Sequence, residues 1–224
     1  MLCGERFSYQ IAFNLSGYEN SFADINVVVE SELKDFINVY NVENVPAELT
    51  YYREMFGGND DDYLKKGAGM FPDLLVPCNG IIKIKENMWK ALWFEINIPK
   101  NFKAGEYDIC VNFFNKDENL SFSKSFALEI IDTVLPKQEL KYTNWFHADC
   151  LYTYYNVEPL SDKHFEIIYN FMKTAADYGV NTILTPVFTP PLDVDVGGER
   201  PTIQLVDITY ENGKYNFDFK NLKN

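Results

Sequence analysis

Histidine is almost absent from this sequence: only His147 and His164 occur in 224 residues. A zinc site built on imidazoles needs more ligands than that, so no metal and no cofactor is expected. Cysteine is also sparse. Cys3, Cys78, Cys110 and Cys150 are scattered without a C-x-x-C pair, which favours reduced thiols in a cytoplasmic protein over two disulfides. Basic charge is in deficit, with 20 Lys+Arg against 33 Asp+Glu and a net charge of -13. That balance speaks against a nucleic-acid partner, whose phosphates must be neutralised by Lys and Arg. No apolar run approaches the ~18–20 residues that span a bilayer, so no membrane partner is expected. The opening MLCGERFSYQ has neither a basic n-region nor an apolar h-region, and no secretory signal is expected. No internal repeat or low-complexity stretch occurs.

What is present is alternation. Residues 5–13 open with apolar and polar positions in turn, the period of a half-buried strand. Further strands are expected at Ala23–Val29, Phe36–Val42, Leu49–Tyr52, Ile81–Lys85, Lys90–Ile98, Tyr107–Asn115 and Ser121–Ile131. Within them Leu92, Phe94, Ile96 and Ile98 share one face, as do Tyr107, Ile109, Val111 and Phe113. Seven or eight short strands separated by turn signals predict an antiparallel β-sandwich over residues 1–135. Arg53–Val76 breaks the pattern and reads as a loop. Its GGNDDD run (Gly57–Asp62) lacks the alternate ligands and the bidentate Glu of a calcium loop.

Thr133–Leu140 reads as the linker, because Pro136 cannot donate to a sheet. Beyond it the texture becomes that of a strand–helix–strand unit with a right-handed parallel crossover. Ser161 is the expected N-cap, Asp162 suits the first turn, and Leu160 with Phe165 has the spacing of a hydrophobic staple. Phe165, Ile168, Met172 and Ala175 line one helix face, joined by Phe171 and Ala176. Gly179 marks a left-handed end. VNTILTPVF is a strand covered on both faces. Asn212-Gly213 between two extended runs signals a type I′ hairpin.

TNWFHADCL, TAADYGVNTILTPVFTPPLD and VGGERPTIQLVDI resemble the bacterial proteins related to glycoside hydrolase family 123. The PDLL-P run (Pro72–Leu75 and Pro77), the strand at Gly105–Tyr107 and the early Gly4–Arg6 triplet are similar to that family's N-terminal sandwich. The resemblance covers nearly the whole chain and is most specific from Asn144 to Pro201. It implies a β-sandwich followed by an incomplete α/β (TIM-barrel-like) segment over residues 139–224. It also implies hydrolysis of β-linked N-acetylgalactosaminides by a substrate-assisted retaining mechanism. There the substrate's 2-acetamido oxygen attacks the anomeric carbon while an adjacent Asp-Glu pair polarises the amide and protonates the leaving oxygen. No position of this sequence receives that pair. The residues from Glu139 onward amount to roughly a third of the ~250 that a closed barrel takes. Independent catalysis is therefore not expected, and whether the chain is itself an enzyme stays open.

In a barrel, the site lies at the C-terminal ends of the strands. Trp145, His147, Asp149, Thr189 and Arg200 are thus the sugar-contact candidates: a ring can stack on a sugar's apolar face, and His, Asp, Thr and Arg can bond hydroxyls. The plainer alternative makes Trp145 core and leaves His147 and Asp149 bonding loop backbone. Asp193, Asp195 and Glu199 offer carboxylates whose separation a loop sequence does not fix, and Asp195 reads as a solvated charge. His164 is expected on the surface, and Cys150 as a buried structural thiol. Trp89 and Trp93 read as core or interface ahead of sugar binding. The expected ligand is an N-acetylated carbohydrate. The alternative is a non-catalytic carbohydrate-binding protein, or one that self-associates as a homo-oligomer through the open barrel edge.

Overall fold

The computed structural model describes residues 1–17, 22–48, 67–115, 120–144, 146, 148–183 and 204–221. It divides into two compact units, Met1–Pro136 and Lys137–Asn224.

The first unit is built almost entirely of strands. They are β1 (Leu2–Cys3), β2 (Arg6–Asn14), β3 (Phe22–Glu30), β4 (Ile37–Ala47), β5 (Gly69–Pro77), β6 (Ile81–Lys85), β7 (Trp89–Asn97), β8 (Gly105–Asn115) and β9 (Leu120–Val134). One sheet has the order β1-β9-β8-β3-β6 and the other β2-β7-β4-β5. The alternating apolar positions meet in one shared core. Leu92, Phe94 and Ile96 of β7 join Ile82 and Ile84 of β6, and Ile109, Val111 and Phe113 of β8. Each such fully buried side chain contributes roughly 1.5–3 kcal/mol by leaving water.

Three expectations need correction here. Arg53–Val76 is not loop throughout, because Gly69–Pro77 pairs antiparallel with β4. Its prolines are tolerated because β5 is an edge strand, where missing N–H groups break no ladder on the open side. The sandwich is not wholly antiparallel either, since the short β1 runs parallel to β9. Finally, β9 continues to Val134, so the linker is shorter than Thr133–Leu140. Leu49–Tyr52 and Gly57–Asp62 lie outside the described residues.

Each member of the Gly4–Arg6 triplet has a structural task. Gly4 sits at φ +76°, and an added Cβ would lie 2.6 Å from Lys100 Cγ, so both conformation and space exclude a larger residue. The Glu5 carboxylate accepts from the Leu2 N–H at 2.5 Å. Arg6 pairs with Glu95 at 3.6 Å, and Glu95 is only 5% exposed. A carboxylate that deep needs a cation beside it.

The second unit begins with β10 (Thr143–Asn144), followed by helices α1 (Asp149–Tyr155) and α2 (Asp162–Asp177) and then β11 (Thr182–Ile183). β10 and β11 pair in parallel, Thr143 opposite Thr182 and Asn144 opposite Ile183. A strand–helix–strand crossover is therefore present. Ser161 caps α2 by accepting from the His164 N–H at 3.2 Å. At the other end Val180 N–H bonds Ala175 O at 3.0 Å and Gly179 N–H bonds Ala176 O at 3.1 Å. With Gly179 at φ +99° this is a Schellman end. The hairpin forms as the sequence predicts. β12 (Asp207–Glu211) and β13 (Lys214–Asp218) pair around Asn212 and Gly213, both at positive φ. Among the described residues no helix is long and apolar enough to cross a membrane.

Candidate functional site

The parallel pair makes the chain leave β10 and β11 at the same end. All five candidate contact residues follow one of those two exits in sequence. Of the five, Trp145, His147, Thr189 and Arg200 lie outside the described residues, as do Asp193, Asp195 and Glu199. Asp149 is placed. It is half-buried in the first turn of α1, where a carboxylate meets the positive end of the helix dipole. Its carbonyl accepts from Thr153 Oγ1 at 3.4 Å.

The segment leading into α1 is held by a residue that the sequence did not single out. His164 is fully buried, which corrects its expected surface position. Its Nδ1 accepts from the Leu160 N–H at 3.0 Å, and its Nε2 lies 2.9 Å from the Ala148 carbonyl. A backbone N–H can only donate and a carbonyl can only accept, so the ring carries its proton on Nε2. The imidazole thus ties the turn before α2 to Ala148, the neighbour of both His147 and Asp149. The signal was present in the sequence, since position 164 is the third residue after an N-cap serine. On the helix it falls beside Ile167 and Ile168, which are buried with Leu151 of α1.

A second clamp sits at the entry to the strands. The Asn181 side chain accepts from the Tyr142 N–H at 2.8 Å and donates to the Leu140 carbonyl at 2.8 Å. Its backbone N–H also bonds Tyr142 O at 3.1 Å. The side chain therefore mimics a peptide and adds a rung ahead of the two-residue ladder. Sequence reading missed it because an Asn two residues past a turn glycine looks like ordinary loop chemistry.

Cys150 is exposed, so the buried structural reading is corrected. No disulfide joins any of the four cysteines. Among the described residues no group of three or more His, Cys, Asp and Glu could hold a metal ion. Alongside α2 lies a recess of about 480 Å³ whose wall is mostly apolar, with Phe146, Phe171, Met172, Ala175, Val180 and Ile183 among its residues. In the first unit Trp89 is 71% exposed on β7, which removes it from the core. Trp93 is half-buried, opposite Gln10 and Tyr40.

Comparison with known proteins meets this geometry at the second unit. Residues 145–224 match the family described as glycoside hydrolase 123, catalytic domain. Among solved structures the chain is similar to a family 123 glycoside hydrolase from Clostridium perfringens, whose study concerns glycolipid glycan hydrolysis. The TM-score is 0.75 at 17% identity, over 99% of this chain and 38% of that one. The fold is shared, and the chain spans well under half the length of that neighbour. No curated protein matches the sequence. The chain thus resembles glycoside hydrolase family 123 in sequence over its second unit and in fold over nearly its whole length.

Proposed function

We propose that this chain is part of a glycoside hydrolase acting on β-linked N-acetylhexosaminides, of N-acetylgalactosaminide type, by a substrate-assisted retaining mechanism. The observation that supports it is the catalytic-domain match over residues 145–224, which falls on the parallel β10–β11 crossover. The neighbour's concern with glycolipid glycans supports a carbohydrate ligand. On this reading residues 139–224 are the first βα units of a barrel and residues 1–135 its companion sandwich. Residues that follow strand ends build such sites. Trp145 stacks on the sugar's apolar face, while His147, Asp149, Thr189 and Arg200 bond its hydroxyls and acetamido group. His164 is a positioning residue for the segment that follows β10, and Asn181 is one for the two strands, which it ties together at their entry. The acid and the amide-polarising carboxylate belong to an Asp-Glu pair outside these 224 residues.

Binding tests this reading. Calorimetric titration of the full chain with methyl N-acetyl-β-galactosaminide is expected to show tighter binding than with methyl β-galactoside. His147→Ala and Asp149→Asn should each weaken it about tenfold, a loss of one bond to a neutral or charged partner. Equal affinity for the two sugars, or variants that bind like the parent, would contradict it.

A second reading, self-association, is favoured by the apolar recess beside α2. β10 and β11 form a sheet of two strands only among the described residues, and such open edges recruit further chain. A homo-oligomer formed there should grow with concentration in light scattering. A monomer at every concentration contradicts it.

A further inference from the structure

The outward face of the β3–β8–β9 sheet carries a depression that neither the catalytic-domain match nor the candidate barrel residues involve. We propose that it is a second, non-catalytic glycan-binding site on the sandwich, one that takes a neutral β-linked oligosaccharide.

The register defines its floor. One rung aligns Asn26, Phe114 and Ser121, the next Val28, Asn112 and Ser123, and the third Glu30, Cys110 and Ser125. The opposite faces of β3 and β8 supply the core through Ile25, Val27, Val111 and Phe113, so these rungs face away from it. A hollow of about 690 Å³ opens over them, lined by Val28, Glu30, Asn112, Phe114, Ser121 and Ser123 with neighbouring ring atoms. That volume lies within the range of small-ligand sites.

The chemistry of the lining selects the ligand class. Asn112 Oδ1 accepts from the Cys110 thiol at 3.5 Å, which orients the amide with Nδ2 as donor. Among the described residues Asn112 Nδ2, the Glu30 carboxylate and the hydroxyls of Ser121 and Ser123 have no protein partner. They offer donors and acceptors together with one half-buried ring, Phe114. A saccharide matches that mixture: its hydroxyls both donate and accept, and its C–H face packs on an aromatic. One carboxylate and no cation in the lining disfavour phosphate or sulfate esters. A flat apolar partner is disfavoured by the polar rungs. The ligand class, though not the site, rests on the reading of the chain as a glycan-processing protein.

The test uses the uniformly 15N-labelled full chain and a β-linked N-acetylgalactosaminyl-galactose disaccharide, followed by two-dimensional NMR. Amide shifts are expected at Asn112, Ser121 and Ser123, saturating together. Ser123→Arg, which fills the hollow from an exposed position, should weaken that saturation at least tenfold while the unfolding temperature stays within a few degrees of the parent's. Asn112→Ala should weaken it several-fold. Trp89→Ala, on the other sheet, should leave it unchanged. Shifts confined to residues 145–224 overturn this site and leave the barrel reading intact. Shifts at the sandwich that survive Ser123→Arg overturn the site too, as does the absence of any shift. Loss of the barrel shifts alone, as in His147→Ala, bears on the other reading.

Discussion

Tyr9 holds a hydroxyl that the fold does not use. Its ring stacks on Phe94 at 4.7 Å and meets Phe126 edge-on at 4.8 Å, yet the buried oxygen has no hydrogen-bond partner among the described residues. Burial also pushes the phenol's pKa well above its ordinary value. Tyr9→Phe removes an unsatisfied polar atom and keeps the stacking, so it should stabilise by about 1 kcal/mol, read as a rise of roughly 2–4 °C in unfolding temperature. The pH sign follows from linkage. With the folded pKa above the unfolded value of ~10, Tyr9's contribution is fully present below pH ~10 and is lost as pH rises through the folded value. The advantage of the variant should therefore widen in alkaline buffer. Arg6 is the opposite case. Removing it takes away the cation beside the buried Glu95 carboxylate, and Arg6→Met should cost about 2–3 kcal/mol, less than a fully buried pair because Arg6 keeps some water contact. His164→Ala leaves the Leu160 N–H without its partner and takes one of two hydrogen bonds from the Ala148 carbonyl, which keeps the Leu151 N–H. At ~1–3 kcal/mol for the orphaned N–H and ~0.5–1.5 kcal/mol for the lost bond, thermal melts should show a loss of about 2–4 kcal/mol, with partial recovery in His164→Gln.

At the scale of elements, what sequence made legible was whatever depends on local pattern. The two-residue period of β7 and β8, the Ser161 cap, the Gly179 end and the Asn212-Gly213 turn are all written in adjacent residues, and each is in place. Strand β5 was hidden because Pro72 and Pro77 normally argue against a strand. Only its edge position makes them acceptable, and edge position is a tertiary fact. His164 was misread for the same reason, since polar residues in a first helical turn are usually solvated. Of the sugar-contact candidates only Asp149 could be placed. Asn181 offers the element-scale prediction. Asn181→Ala removes two hydrogen bonds that hold β10 beside β11, so hydrogen exchange at Thr143 and Thr182 should quicken about tenfold or more. Exchange at Val111 in the sandwich should not change. Gly179→Ala, forced to φ +99°, should cost ~1–2 kcal/mol.

At the scale of the whole molecule, two units of different texture share one chain, and only the second matches a catalytic domain. The fold likeness extends over 99% of the chain but over only 38% of the solved neighbour. On the proposed reading, sugar contact falls to this chain and proton transfer to an Asp-Glu pair outside these 224 residues. Turnover of an aryl N-acetyl-β-galactosaminide by the purified 224-residue chain tests that division most directly. The account predicts release of the aryl group no faster than in buffer, alongside measurable binding of the sugar. Turnover well above buffer that is abolished by changing one carboxylate within this chain, such as Asp149→Asn, would contradict it.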